Sequence, residues 1–185
     1  MSNCYIIVEG KTDATILDSV LSAKQDAVKP EIKTGNGRSS AISLARTMLV
    51  SREGSLVVLL LDADSTNPER VRELQVELEE SLSDVSRETR FRVVLLEPSI
   101  ESLLFHDRKG LEHAIGSAIS ETEEMQSRYD PKAVLDGKLR ANGKRYDPAT
   151  LEAILKQLNM RKILQDGKLQ ELTQFISKPP TAASV

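Results

Sequence analysis

The sequence predicts an α/β protein with a parallel sheet of about four strands, flanked by helices and followed by a C-terminal helical extension. Short, uninterrupted apolar runs alternate with helical patterns in the first half of the chain, as expected for parallel strands buried on both faces. After about residue 99 the pattern contains helices only. We therefore expect an α/β domain over residues 1–105, a helical extension over 106–177 and a disordered tail over 178–185.

Four apolar segments account for the strands. The third is the clearest, because six apolar residues follow one another and stop abruptly at Asp62. The segments, in chain order, are Tyr5–Val8, Pro30–Lys33, Leu56–Leu61 and Phe91–Leu96.

Apolar residues at helical spacing fill the intervals between the strands. We predict helices that begin near Thr12, near Ser39 or Ser40, and at Asn67, where Pro68 occupies the first turn. Beyond the sheet, the predicted helical segments are Ile100–Phe105, Leu111–Met125, Pro131–Leu139, Pro148–Leu158 and Lys168–Ile176.

Composition excludes several classes of protein. With 39% hydrophobic and 29% charged residues among 185, the chain has the composition of a folded domain. A single cysteine and two histidines exclude a disulfide scaffold and a cysteine-rich zinc module. The apolar runs are too short for a membrane span, and no signal peptide is evident, so we expect a cytoplasmic protein that does not engage membranes.

Charge is distributed unevenly along the chain. Residues 1–68 have a net charge of −1, residues 69–124 of −7, and residues 125–185 of +5. The basic C-terminal third favours contact with a polyanion, although solvated helix faces would give the same pattern. Aromatic residues make up only 3% of the chain, so an extended platform for base stacking is poorly supplied.

Acidic side chains follow three of the predicted strands. The pairs are Glu9 with Asp13, Asp62 with Asp64, and Glu97 with Glu101. Because parallel strands end at the same edge of a sheet, these carboxylates should converge and repel one another. A hard cation with oxygen ligands relieves that repulsion, so we expect one or two Mg²⁺ or Mn²⁺ ions. Such ions make phosphodiester hydrolysis feasible.

Two motifs carry a resemblance to a known family. The segment Ile6–Asp13 (IIVEGKTD) and the later Leu60–Asp64 (LLDAD) resemble the Glu and Asp-x-Asp motifs of Toprim domains, the catalytic fold of topoisomerases, DnaG-type primases, RecR-type mediators and OLD-family nucleases. The resemblance covers roughly residues 4–105. It implies a Rossmann-like sheet in which Glu9, Asp62 and Asp64 are catalytic metal ligands, with Glu9 as a possible general acid or base.

The nearer resemblance is to OLD-type Toprim nucleases and small single-domain Toprim proteins. It implies that Asp13 and Glu101 complete a second metal position, with Glu97 as a competitor for the role of Glu101. No Gly-x-x-x-x-Gly-Lys-Ser/Thr motif occurs here, so an ATPase partner, as in some phage-defence systems, would be separately encoded. The expected contacts to DNA or RNA are Lys11, Arg38, Lys144 and Arg145.

Two other interpretations stay open. Leu59–Thr66 also resembles the first motif of haloacid-dehalogenase-type phosphatases, in which Asp62 would be the nucleophile and Asp64 the acid. That family places the motif on its first strand, whereas here a strand and an acidic loop precede it. A Toprim fold can also serve binding or assembly without catalysis. The sequence leaves the oligomeric state open.

Overall fold

The computed structural model describes residues 4–24, 29–52, 54–86 and 89–177 and confirms the α/β class. Within these residues four parallel strands form one sheet with the order β2-β1-β3-β4. The strands are β1 (Cys4–Val8), β2 (Glu31–Thr34), β3 (Leu56–Asp62) and β4 (Arg90–Leu96). The predicted disordered tail, residues 178–185, lies outside the described residues.

The strands end together at one edge of the sheet. Val8, the last residue of β1, is in register with Thr34 of β2, and Asp62, the last residue of β3, is in register with Leu96 of β4. All of β1 and most of β3 are buried, which is why both sequences are continuous apolar runs. The residues that follow β1, β3 and β4 therefore start from neighbouring positions.

Helices cover both faces of the sheet. The first three are α1 (Lys11–Ser22), α2 (Arg38–Ser51) and α3 (Pro68–Ser83), and a 3₁₀ helix follows β4 at Ile100–Asp107. Helices α2 and α3 share a buried apolar cluster with one face of the sheet. The opposite face packs against α1 and the helical extension, whose apolar residues form a second and larger cluster.

The extension consists of short helices that pack on the α1 side. These are α4 (Arg108–Ile115), α5 (Glu121–Ser127), α6 (Pro131–Ala141), α7 (Pro148–Leu155), α8 (Met160–Ile163) and α9 (Gly167–Ser177). Residues from both sides of position 105 belong to one buried cluster, so the extension is fastened to the sheet by a shared core. This packing brings residues of the extension to the edge where the strands end.

The prediction of a single helix over Leu111–Met125 was wrong. Helix α4 ends at Gly116, which has a left-handed φ of 84°, and α5 starts after Ser120. Long-range polar contacts hold the connection, since Glu112 accepts a hydrogen bond from the Ile119 backbone at 2.9 Å and Lys138 donates to the Ala118 carbonyl at 2.6 Å. Apolar spacing alone does not record these contacts.

Two helix starts also differ from the prediction. Helix α1 is capped by Gly10 instead of Thr12, and the Asp13 side chain accepts a hydrogen bond from the Gly10 backbone at 2.8 Å. Helix α2 is capped by Gly37, one residue before Arg38, instead of by a serine. The region predicted as a helix from Ile100 is the 3₁₀ helix, and α8 was not predicted. None of the described helices has the length and apolar character needed to cross a bilayer.

A candidate metal and active site at the strand ends

Backbone hydrogen bonds tie the loops at the strand ends to one another. The Gly37 amide donates to the Glu9 carbonyl at 2.9 Å, which fastens the β2–α2 loop to the end of β1. The Asp64 amide donates to the Pro98 carbonyl at 2.8 Å, which fastens the end of β3 to the segment after β4. The acidic residues of this edge are thus carried on loops whose backbones are fixed to each other.

Asp62 lies at the centre of the acidic side chains. Its Oδ1 accepts a hydrogen bond of 2.8 Å from the Ile100 amide at the start of the 3₁₀ helix. Burial raises the pKa of Asp62 to about 8, and the negative charges of Glu101, Asp13 and Glu9 add to the rise while the Ile100 bond opposes it. Without a cation, this group therefore holds its proton at neutral pH.

Asp13 faces the same space from the first turn of α1. Its pKa is raised, chiefly by burial, with smaller contributions from the charges of Glu101 and Glu9, while the hydrogen bond from the Gly10 amide lowers it. The i, i+4 spacing of Glu9 and Asp13, read from the sequence, thus places both acids in one electrostatic environment with Asp62.

Glu101 is the most deeply buried of these acids, with 1% of its surface exposed. Ser99 Oγ donates to one carboxylate oxygen at 2.5 Å, and the Tyr146 hydroxyl donates to the other. Burial is the main cause of a raised pKa at Tyr146, and the nearby Glu101 carboxylate raises it further. The phenol therefore stays protonated and keeps donating its hydrogen bond. Two hydroxyl donors therefore fix both oxygens of this carboxylate.

Glu97 does not join the group. Its carboxylate is 3.7 Å from Lys168 Nζ on α9, and it lines a different groove together with Arg92 and Glu171. Of the two candidates after β4, the structure places Glu101 and not Glu97 beside Asp62 and Asp13. The sequence had left both glutamates as candidates for the metal ligand after β4.

Arg38 lies among the acids instead of on an outer surface. Its guanidinium contacts Glu9 Oε1 at 3.1 Å, Asp64 Oδ2 at 2.9 Å and the Asp62 carbonyl at 2.5 Å. Asp64 is exposed and has a left-handed φ of 51°, a conformation that Asp tolerates better than most residues. The guanidinium of Arg38, the first residue of α2, thus bridges the carboxylates of Glu9 and Asp64.

The other predicted nucleic-acid contacts have different surroundings. Lys11 is exposed at the first residue of α1, next to the acidic edge. Lys144 Nζ donates to the carbonyls of Ala114 at 3.0 Å and Ile115 at 3.1 Å, at the C-terminal end of α4. Arg145 is exposed. Lys144 therefore has a structural partner that the sequence did not reveal, and its role toward nucleic acid stays a prediction.

The donor chemistry of this edge suits a hard divalent cation. Within the described part of the chain, no three His, Cys, Asp or Glu side chains are already arranged to hold an ion. Carboxylate oxygens are nevertheless the donors that Mg²⁺ prefers, and three of the acids raise the pKa of a fourth. Arg38 already bridges two of the carboxylates, which shows that this edge accommodates positive charge.

Sequence reasoning missed Tyr146 as part of the site. It lies 45 positions from Glu101, on the loop between α6 and α7, and its hydroxyl reaches the acid only because the extension packs against the sheet. The only signal in the sequence was a polar segment, Gly143–Tyr146, between two predicted helices. Ser99 occupies the N-cap position of the 3₁₀ helix, but its hydroxyl donates to the Glu101 carboxylate and makes no capping hydrogen bond.

No protein-family model, curated protein or solved structure matches this chain. The motifs and the geometry of the site are therefore the only pointers to function, and the Toprim resemblance stays a proposal.

Proposed function

We propose that this chain is a Mg²⁺-dependent nuclease of the Toprim type that hydrolyses phosphodiester bonds in DNA or RNA. One observation carries the proposal: acids from the ends of β1, β3 and β4 converge on one edge, where the burial of Asp62, together with the charges of Glu101, Asp13 and Glu9, raises its pKa to about 8. Such crowding costs stability and persists in functional sites, where a ligand relieves it. The order of the motifs along the chain supports the Toprim type.

Glu9, Asp62 and Asp64 would hold the first metal ion, and Asp13 and Glu101 would complete a second position. Bound Mg²⁺ would orient the phosphate, lower the pKa of a water molecule and stabilise the leaving oxygen. Mn²⁺ has the same preference for oxygen ligands and should substitute. The proposal covers one or two ions.

The protein's own residues would prepare the site. Ser99 and Tyr146 hold Glu101 in a single orientation through their hydroxyls, as outer-shell donors do for metal ligands. Arg38 keeps the loop that carries Glu9 close to Asp64. Glu9 is the residue we assign to proton transfer as a general acid or base.

The substrate side of the proposal rests on charge. The C-terminal third has a net charge of +5, so a polyanion would approach the acidic edge from the extension. Lys11, Lys144 and Arg145 are the exposed cations we expect to contact phosphates. A separately encoded ATPase as partner and a cytoplasmic location belong to the same proposal.

A cleavage assay tests it. Plasmid DNA and single-stranded RNA are incubated with the parent protein in Mg²⁺, in Mn²⁺ and in EDTA. We expect cleavage with either metal and none in EDTA. Asp62→Asn should reduce the rate by roughly 100-fold or more, the scale on which loss of a preorganised charged group acts. Glu97→Gln is the matched control, because it neutralises an acid at the same edge that faces Lys168 instead.

The results separate the alternatives. Cleavage that persists in EDTA, or that Asp62→Asn leaves unchanged, contradicts the proposal. Turnover of small phosphate monoesters without phosphodiester cleavage favours the phosphatase interpretation. Nucleic-acid binding without cleavage under every metal condition favours a binding or assembly module.

A further inference from the structure

A groove of about 250 Å³ opens beside the acidic edge. Asp62, Asp64 and Ser99 line one side of it. The opposite side comes from the turn between α5 and α6, with Tyr129, and from the first turn of α6, with Lys132. The extension thus supplies the second wall of the space in front of the proposed metal ligands.

Tyr129 presents an aromatic ring to solvent at this groove. Its surface is 72% exposed, in a chain with three tyrosines and no tryptophan. The backbone beneath it is held firmly, because the Tyr129 amide donates to the Gln126 carbonyl at 2.9 Å and the Asp130 side chain caps α6 through the Ala133 amide at 2.9 Å. An exposed ring on a firmly held backbone beside a groove is suited to stacking on a planar ligand.

Lys132 supplies the positive charge of the groove. Its Nζ lies 5.5 Å from the centre of the Tyr146 ring, and it forms no ion pair with any residue that the structure describes. The other charged residues that line the groove are Asp62, Asp64 and Asp130. An anionic group that enters the groove could pair with Lys132 on one wall. On the other wall it could pair with a cation bound by the acidic residues.

We propose that this groove binds an unpaired nucleotide of the substrate strand, with its base stacked on Tyr129 and its phosphate paired with Lys132. In the interior of a duplex both faces of a base are already stacked, so away from the duplex ends an isolated tyrosine ring gains a partner only when the base is unpaired. The groove is smaller than the roughly 300–1,000 Å³ of pockets that enclose drug-sized molecules, so it would hold part of one nucleotide and leave the rest of the strand in solvent. This inference rests on the proposed nuclease function, because it assigns the form of the substrate at that site.

The test measures affinity, without cleavage, by fluorescence anisotropy in Ca²⁺. The probes are a short single strand of DNA, the same sequence in RNA, and a flush-ended DNA duplex of that sequence. Tyr129→Ala should weaken single-strand binding by about 5- to 150-fold, which corresponds to the roughly 1–3 kcal/mol of one base–aromatic stack, and should leave duplex binding unchanged. Tyr129→Phe keeps the ring and should bind like the parent.

Two further variants complete the design. Lys132→Ala should weaken both single strands and flatten the salt dependence by about 0.7, the slope expected for one phosphate contact on a single strand. Met125→Ala is the matched control, because Met125 is 65% exposed on neighbouring α5 and does not line the groove. Its affinities should equal those of the parent, and thermal melting should show that all variants are folded.

The proposal is overturned if Tyr129→Ala binds single strands as well as the parent, or loses as much affinity for the duplex. Cleavage of the same probes in Mg²⁺ separates this result from the nuclease proposal. A Tyr129-dependent preference for single strands in a protein that cuts nothing would support the groove and contradict the nuclease. Cleavage that needs Asp62 with no effect of Tyr129→Ala would support the nuclease and overturn the groove.

Discussion

Two carboxylates at opposite ends of the same 3₁₀ helix have opposite surroundings. Asp107, at the last position of that helix, is 4% exposed and accepts hydrogen bonds from Lys162 Nζ at 2.6 Å and from the Asn159 amide at 2.8 Å. Both hydrogen bonds lower the pKa of Asp107, and the one from Lys162 has the larger effect. Asp62, bonded to the first residue of the helix, has acidic neighbours and a raised pKa.

The difference distinguishes a carboxylate that supports the fold from one available to a ligand. The chain completes the environment of Asp107 so closely that a Cβ on Gly110 would lie 2.1 Å from its Oδ2. At Asp62 it supplies one backbone donor and gathers more negative charge. The same residue type thus contributes stability as a charged group at one end, and at the other is buried among acids where its charged form is disfavoured.

The largest expected effect is a loss of stability when Asp107 is replaced. Asp107→Ala removes a buried carboxylate and leaves the Asn159 amide and the Lys162 ammonium without their acceptor, which should cost about 1–3 kcal/mol of unfolding free energy. Thermal melting should show a decrease of roughly 2–12 °C for a chain of this size. Glu152→Ala is the control, because it removes an exposed i, i+4 pair with Lys156 and should shift the melting temperature little. Equal shifts in both variants would remove the distinction drawn here.

Tyr146→Phe tests the acidic group at the other end of the helix, around Asp62 and Glu101. It removes the hydroxyl that donates to Glu101, so the carboxylate loses one of its two orienting bonds. We expect the affinity for Mg²⁺ to fall about 10- to 100-fold while the fold stays intact. The affinity is measured from the dependence of the melting temperature on Mg²⁺ concentration. Tyr129→Phe removes the same atom from an exposed ring and should leave the metal dependence unchanged. Identical metal titrations for the two variants would show that Tyr146 does not position a ligand.

A smaller effect is expected from pH in the absence of metal. Because the pKa of Asp62 is about 8 in the folded protein and about 3.9 in an unfolded chain, only the folded state keeps this proton between those values. This group's contribution to stability therefore falls as pH rises through that window. From pH 7 to pH 8 the parent should lose about 1 kcal/mol or less relative to Asp62→Asn. A constant difference between them would contradict the raised pKa. The lowered pKa of Asp107 acts the opposite way, with stability lost only as pH falls below about 4.

The smallest effect concerns two adjacent cations. Lys144→Ala should lower stability by about 0.5–1 kcal/mol, because it removes a cation from the C-terminal carbonyls of α4. Arg145→Ala should leave the melting temperature unchanged and weaken only nucleic-acid binding. If both variants melt like the parent, the contact between Lys144 and α4 contributes nothing measurable.

Local patterns predicted the strands and most of the acids, and distant contacts determined the rest. Asp62 and Asp64 were predictable because a buried strand ends abruptly at charged residues, and such ends meet at one edge in a parallel sheet. The roles of Glu101 and Tyr146 depend on a contact across 45 positions, which no local pattern contains. The position of Arg38 was missed for a related reason, since its partners lie on two other loops.

The connection between α4 and α5 gives the same lesson for the fold. Apolar spacing continued through Gly116 and predicted one helix, but polar contacts from Glu112 and Lys138 hold the segment after it in a different conformation. Periodicity identifies which residues face the core. It does not identify where polar contacts with residues outside the helix interrupt it.

The most direct test of the metal site is the number of protons released when Mg²⁺ binds. Calorimetric titrations at pH 7, in buffers with different ionisation enthalpies, measure this number. Because the pKa of Asp62 is about 8 without metal, we predict that Mg²⁺ displaces close to one proton from the parent and from Glu97→Gln. Asp62→Asn should release none. The absence of Mg²⁺ binding by the parent, or equal proton release from Asp62→Asn, would contradict a metal site built on Asp62.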